Sequence, residues 1–126
     1  MDNGKIKNIE QDLAERIYNF VLSVIKLVRS LDREMSAQEI GRQLLRSATS
    51  IAANYEEATV AFTKPDFTHK LSISFKEAKE TNLWLRLIRD SELSNSNVLS
   101  KLIQESLEIK KILGKSVKTA KERPNC

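Results

Sequence analysis

Cysteine, proline, glycine and histidine are all scarce in this chain. The one cysteine is Cys126. A single thiol leaves no disulfide framework within one chain and no thiolate cluster for zinc, and it fits a reducing cytoplasm. Three glycines and two prolines are too few turn formers for a many-stranded sandwich or barrel, which needs a turn every ten residues or so. The glycines, Gly4, Gly41 and Gly114, are isolated, so no glycine-rich phosphate loop is present. The only histidine, His69, has no nucleophilic cysteine to activate. Aromatic residues amount to 6% and none interleaves with the basic end of the chain, which argues against a stacking platform for single strands.

Long apolar runs are missing too. The most apolar stretch, Phe20 to Val28, is broken by Lys26 and falls far short of the roughly 20 apolar residues of a membrane span. The opening residues, Met1-Asp2-Asn3-Gly4-Lys5, do not read as a secretory signal. The expectation is a soluble cytoplasmic protein with no membrane association. What is present is ordinary globular material: 126 residues, 40% hydrophobic and 30% charged, enough for one domain with its own core.

Four segments carry helical periodicity and none carries sustained strand alternation. The spacing predicts helices over about 9–31, 36–60, 64–90 and 95–118, followed by a basic tail over 118–126. In the first, Leu13, Ile17, Phe20, Val24, Val28 and Leu31 form one face. In the second, Ser36-Ala37-Gln38-Glu39 matches a capping box, Ile40, Leu44, Ile51, Tyr55 and Ala58 face the core, and the small residues Ser47, Ala48, Ser50, Ala52 and Ala53 allow close helix approach. The third opens around Thr63-Lys64-Pro65-Asp66, where proline suits the first turn, and its core face is Phe67, Leu71, Ala78, Leu85 and Ile88. The fourth opens near Ser94 or Ser96 and has a broad apolar side from Val98 to Val117. Short links make consecutive helices antiparallel neighbours, so the expected fold is an all-α, up-down-up-down four-helix bundle in a single domain.

A polar stripe flanks this core. Arg46, Ser50, Asn54 and Glu57 share one side of the second helix, and Ile73, Glu77, Glu80, Trp84 and Leu87 make a comparable side of the third. Folding back at the Val60–Thr63 link sets Arg46 opposite Glu77 and Glu80, where a bidentate ion pair can form. The competing reading is a solvated polar face. Leu83, Trp84, Leu85, Leu87 and Ile88 cover more of the third helix than one bundle core uses, which points to a contact with another copy of the chain. Whether the stripe lies within or between protomers stays open.

Charge is unevenly distributed. The net charge is +4, yet Lys110, Lys111, Lys115, Lys118, Lys121 and Arg123, opposed only by Glu122, carry +5 on their own. Cations there suit a helix C-terminus, and they also make a candidate phosphate-binding patch. Metal chemistry has little support. A di-metal bundle needs two Glu-x-x-His motifs, and only Asp66-Phe67-Thr68-His69 comes near one. No cofactor and no enzymatic activity are expected.

Arg46-Ser47-Ala48-Thr49-Ser50-Ile51-Ala52-Ala53-Asn54-Tyr55-Glu56-Glu57-Ala58 resembles the R-x-x-x-S-I-x-x-N-x-x-E-[GA] signature of a bacterial family of four-helix bundles, the 23S rRNA intervening-sequence proteins. Lys76-Glu77-Ala78-Lys79-Glu80-Thr81-Asn82-Leu83-Trp84-Leu85 resembles its second block, K-E-A-x-E-T-x-x-W-L. The chain departs at Ala58, where many relatives have Gly, and at Tyr55, where many have Ile or Val. The resemblance implies a homopentameric ring. A related branch, the accessory variability proteins of diversity-generating retroelements, partners a reverse transcriptase and binds nucleic acid through a basic surface. The localised charge excess, and not the resemblance, motivates the expected function: a non-enzymatic oligomeric bundle that binds RNA, DNA or a ribonucleoprotein through its basic C-terminal end. The alternative is a protein–protein adaptor or accessory subunit with no direct nucleic-acid contact.

Overall fold

The computed structural model describes residues 2–123, with side chains from Asp12 onward. It contains α1 (Asp2–Arg29), α2 (Met35–Thr59), α3 (Lys64–Asp90) and α4 (Val98–Glu122). Each helix packs against its neighbours in sequence, α1 also touches α4, and among the described residues no diagonal pair brings Cα atoms within 8 Å. That is the pattern of an up-down-up-down bundle. There is no strand among the described residues, and no helix is long and apolar enough to cross a membrane.

The core lies along the expected faces with small rotations. Leu13, Ile17, Phe20, Val24 and Leu31 are buried as the periodicity requires, but Leu27 is buried while Val28 sits at the boundary. Ile40 and Phe67 also sit at the boundary. On α4, Leu99, Leu102, Ile103, Ile109, Leu113 and Val117 are buried, whereas Val98 and Ile112 remain exposed. The α2–α3 interface is the most extensive in the bundle. It is lined by small groups with no solvent exposure: Ser47 and Ala48 from α2, and Ser74, Ala78 and Thr81 from α3. The buried hydroxyls are paired. Ser74 donates to the carbonyl of Ile51 at 2.8 Å, and Thr81 lies 2.8 Å from both the Ser47 hydroxyl and the Glu77 carbonyl. Asn82 donates to the Ser106 hydroxyl at 2.9 Å, which ties α3 to α4.

Helix ends differ from expectation for local reasons. The capping box at Ser36 does not form. Glu34 is the cap instead, and its carboxylate accepts the N–H groups of Ser36 at 2.7 Å and Ala37 at 3.2 Å as well as the Ser36 hydroxyl. These bonds, the Ser36 hydroxyl first, hold the Glu34 carboxyl below its ordinary range. Glu39 turns to Arg42 and Gln43. α1 begins seven residues before the expected Ile9, at Asp2. α4 starts later than expected because Ser94 and Ser96 spend their hydroxyls on the N–H groups of Ser96 and Val98 in the link. It also runs on to Glu122, so most of the expected basic tail is helical. Pro124, Asn125 and Cys126 lie outside the described residues.

α3 ends with Glu92 at φ 59°, in the left-handed region. The N–H of Leu93 reaches back to the carbonyl of Ile88 at 3.1 Å, which closes the helix in a Schellman arrangement. A residue with a Cβ is strained there, while glycine is not. Glu92→Gly is expected to raise stability by about 0.5–1 kcal/mol. Urea unfolding checks this, and an unchanged or lowered midpoint would contradict it.

Candidate functional site

The polar stripe resolves into two separate clusters. Antiparallel packing of α2 on α3 brings the Arg46 guanidinium 2.6 Å from Glu80 and 3.7 Å from Glu77. Arg46 therefore bridges two carboxylates instead of making the bidentate pair with one. The Trp84 indole donates to the same Glu80 oxygen at 3.2 Å. Glu77 is the most enclosed member. Its side chain is 18% exposed, and its Oε1 is buried with no hydrogen-bond partner among the described residues. Burial pushes the Glu77 carboxyl above the ordinary carboxylate range; Arg46 opposes this and the charge of Glu80 adds to it.

Ser50, Asn54 and Glu57 do not join that cluster. Asn54 turns back to the carbonyl of Ser50 at 2.9 Å. Glu57 pairs with Lys70 of α3 at 2.8 Å. Lys70 was not anticipated from the sequence, although an antiparallel register that pairs residue 46 with 80 also brings 57 close to 70. A further clamp was missed altogether. Arg16 of α1 reaches Glu105 of α4 through two nitrogens, at 2.9 and 2.6 Å, and Glu108 at 3.0 Å. It spans the pair of neighbouring helices with the sparsest interface. Leu83 and Leu87, one turn apart on the outer side of α3, are each 39% exposed, beside the half-buried Trp84.

The basic residues of α4 are organised more tightly than a tail would allow. Lys111, Lys115, Lys118 and Lys121 follow one another at intervals of four, three and three, so the helix stacks them in a single row. All four are exposed, and none has an ion-pair partner among the described residues. Lys110 is half-buried at the edge of this row, and Arg123 caps the helix end. The α3–α4 approach beneath the row is close: a Cβ at Gly114 would come within 2.8 Å of the Phe75 ring. At the same end of the bundle, an apolar cleft of about 670 Å³ is lined by Leu13, Tyr55, Phe62, Phe67, Leu71 and Ile112 among others, and Phe62 at its rim is fully exposed. Among the described residues no three His, Cys, Asp or Glu side chains are grouped as a metal site would need.

The sequence profile of the 23S rRNA-intervening sequence proteins matches residues 10–115. The chain belongs to that family. A crystal structure of a protein of unknown function from the S23 ribosomal protein family of Bacteroides thetaiotaomicron VPI-5482 is similar, with 33% identity and a TM-score of 0.78 over 86% of this chain and 97% of that one. No curated protein matches the chain. Within the family frame, Arg46 and Glu57 from one motif and Glu77, Glu80 and Trp84 from the other all lie at the α2–α3 interface. The motifs thus mark a structural seam, and the basic row of α4 lies apart from it.

The raised position of Glu77 has a definite sign. The folded chain holds this proton more tightly than the unfolded one, so the contribution favours folding below the ordinary carboxylate value and is lost as pH rises through the raised value. Glu77→Gln removes it. The variant's stability relative to the parent should be greatest at neutral pH and decline in mild acid. Urea midpoints at the two pH values test this; a difference that does not change with pH would contradict it.

Proposed function

We propose that the chain is a non-catalytic, self-associating bundle that binds nucleic acid through the phosphate backbone, using the basic row of α4. The observation that carries this reading is the alignment of Lys111, Lys115, Lys118 and Lys121 on one exposed helix face with no carboxylate paired to them among the described residues. Lys111 feels the Glu108 carboxylate one turn back, but cations in a row without ion-pair contacts present a linear field that suits a polyanion, because each phosphate they meet releases a condensed counterion. No groove-reading element accompanies the row, so the binding is weakly sequence-selective.

Self-association supplies the second half of the mechanism. Leu83, Leu87 and Trp84 form an apolar strip on α3 beside the Arg46–Glu80 bridge, and covering it with a second copy would remove that area from water. The family resemblance implies a pentamer. In a ring of five, the local excess of +5 becomes about +25, and multivalent contact raises the effective concentration of each row for a bound strand. A second reading, favoured by exposed Phe62 and the cleft behind it, is an adaptor whose partner is a protein such as a reverse transcriptase.

Substitution tests the first reading better than truncation, because Lys118 to Glu122 are helical and Ala120 is buried. Lys111→Gln with Lys115→Gln is expected to weaken retention of RNA or DNA on a filter and to reduce the slope of log affinity against log salt by about 2, one for each phosphate that is no longer neutralised. Affinity that barely responds to salt in the parent protein would rule the mechanism out. Leu83→Asp is expected to lower the sedimenting mass while helix content stays the same. An unchanged mass would remove the α3 strip from the assembly and leave the adaptor reading the stronger.

A further inference from the structure

The start of α3 and the end of α4 meet to form a groove of about 500 Å³. Its walls carry the Lys64 and Lys76 ammonium groups and the His69 imidazole from α3, Lys121 from α4 and Arg123 from the cap that follows it, and no carboxylate lines it. The acids next to its lining residues in the chain, Asp66, Glu77 and Glu122, are not among its lining groups. The α3 wall has a simple origin: positions 69, 72 and 76 recur at intervals of three and four and so share one helix face. The meeting itself follows from antiparallel packing, and it is fastened by the Lys64 ammonium, which donates to the backbone carbonyl of Arg123.

The donors facing this groove are unspent. Among the described residues His69, Lys76, Lys121 and the Arg123 guanidinium have neither a hydrogen-bond nor an ion-pair partner. The hydroxyls of Thr68 and Ser72 are also unused, whereas the buried hydroxyls of Ser74, Thr81 and Ser106 are all engaged. Ammonium, guanidinium, imidazole and hydroxyl donors converging without a competing carboxylate match the oxygens of a tetrahedral anion. Lys121 belongs both to this groove and to the row Lys111–Lys115–Lys118. A strand following the row is thereby led toward the groove.

We propose that this groove is a phosphate-binding site and that its ligand is a phosphodiester of the bound nucleic acid, so that α3 contributes an anchor to an interface otherwise drawn from α4 alone. The identity of the ligand rests on the function proposed above; the phosphate site rests on the groove.

The test has two arms. In the first, a labelled mixed-sequence oligoribonucleotide is titrated into the native protein, into His69→Gln with Lys76→Gln, and into Lys76→Arg, with circular dichroism to verify the fold. The double variant should lose affinity and lower the salt slope by about 1–2, and Lys76→Arg should restore the Lys76 share. In the second arm, inorganic pyrophosphate is titrated into the native protein and followed by the amide resonances of Thr68 and Ser72 and the His69 ring. Saturable shifts, absent with sodium chloride at matched ionic strength, are expected. If the oligoribonucleotide binds and the α3 variants leave its affinity unchanged, the anchor is overturned while the row on α4 stands. If the oligoribonucleotide does not bind but pyrophosphate does, the phosphate site stands and the nucleic-acid reading falls. If neither binds, both are overturned.

Discussion

At the middle of the bundle the Ser74 hydroxyl donates across to the carbonyl of Ile51, and a few residues along, Thr81 meets Ser47. These two helices meet with almost nothing large between them. Small side chains let α2 and α3 pack closely, and buried hydroxyls left unpaired would each cost about 1–3 kcal/mol, so one register is favoured over its neighbours. The polar surface along α2 and α3 depends on that register. It sets Arg46 against Glu77 and Glu80, and Glu57 against Lys70. The α3–α4 pairing at Asn82–Ser106 and Phe75–Gly114 in turn sets the first turn of α3 beside the last turn of α4.

The bundle was legible in the sequence because its evidence is periodic. Leu13, Ile17, Phe20 and Val24, and again Leu71, Ala78, Leu85 and Ile88, repeat at intervals that only a helix brings to one face. Arg46 meeting Glu77 and Glu80 was legible for a related reason, since a short link and antiparallel packing leave little choice of partner. What escaped was settled by local competition or by distance along the chain. Glu34 and Ser36 are both capable caps, and the carboxylate accepts two N–H groups where a hydroxyl would take one. Arg16 and Glu105 are 89 positions apart, and no pattern links them until the first and last helices are known to touch. The α3 wall of the basic groove was invisible for the same reason: Lys64, His69 and Lys76 are ordinary singly and gain meaning only when Lys121 and Arg123 arrive beside them.

The two charged features of the molecule have opposite chemistry. At the α2–α3 seam the charges of both signs are paired and partly enclosed, with Arg46 held by two carboxylates and Trp84 closing one edge. Such an arrangement fixes geometry more than it adds stability, since desolvation offsets much of the attraction. On α4 the charge is one-sided, exposed and unpaired among the described residues. An exposed cationic row does little for the stability of a fold, and its lysines repel one another. The proposed function rests on this row. The family motifs fall on the first feature, which accounts for their power to identify the fold.

The claim on which the rest stands is that the beginning of α3 lies against the end of α4. It can be measured directly with spin labels at positions 64 and 123, with Cys126 replaced by Ser and the labelled chain diluted into unlabelled protein so that only distances within one chain are read. The account predicts a short, narrow distance set by two adjacent helix ends. A distance near the length of α3, about 40 Å for its 27 residues, would contradict it and with it the groove, the shared lysine and the interface built on them.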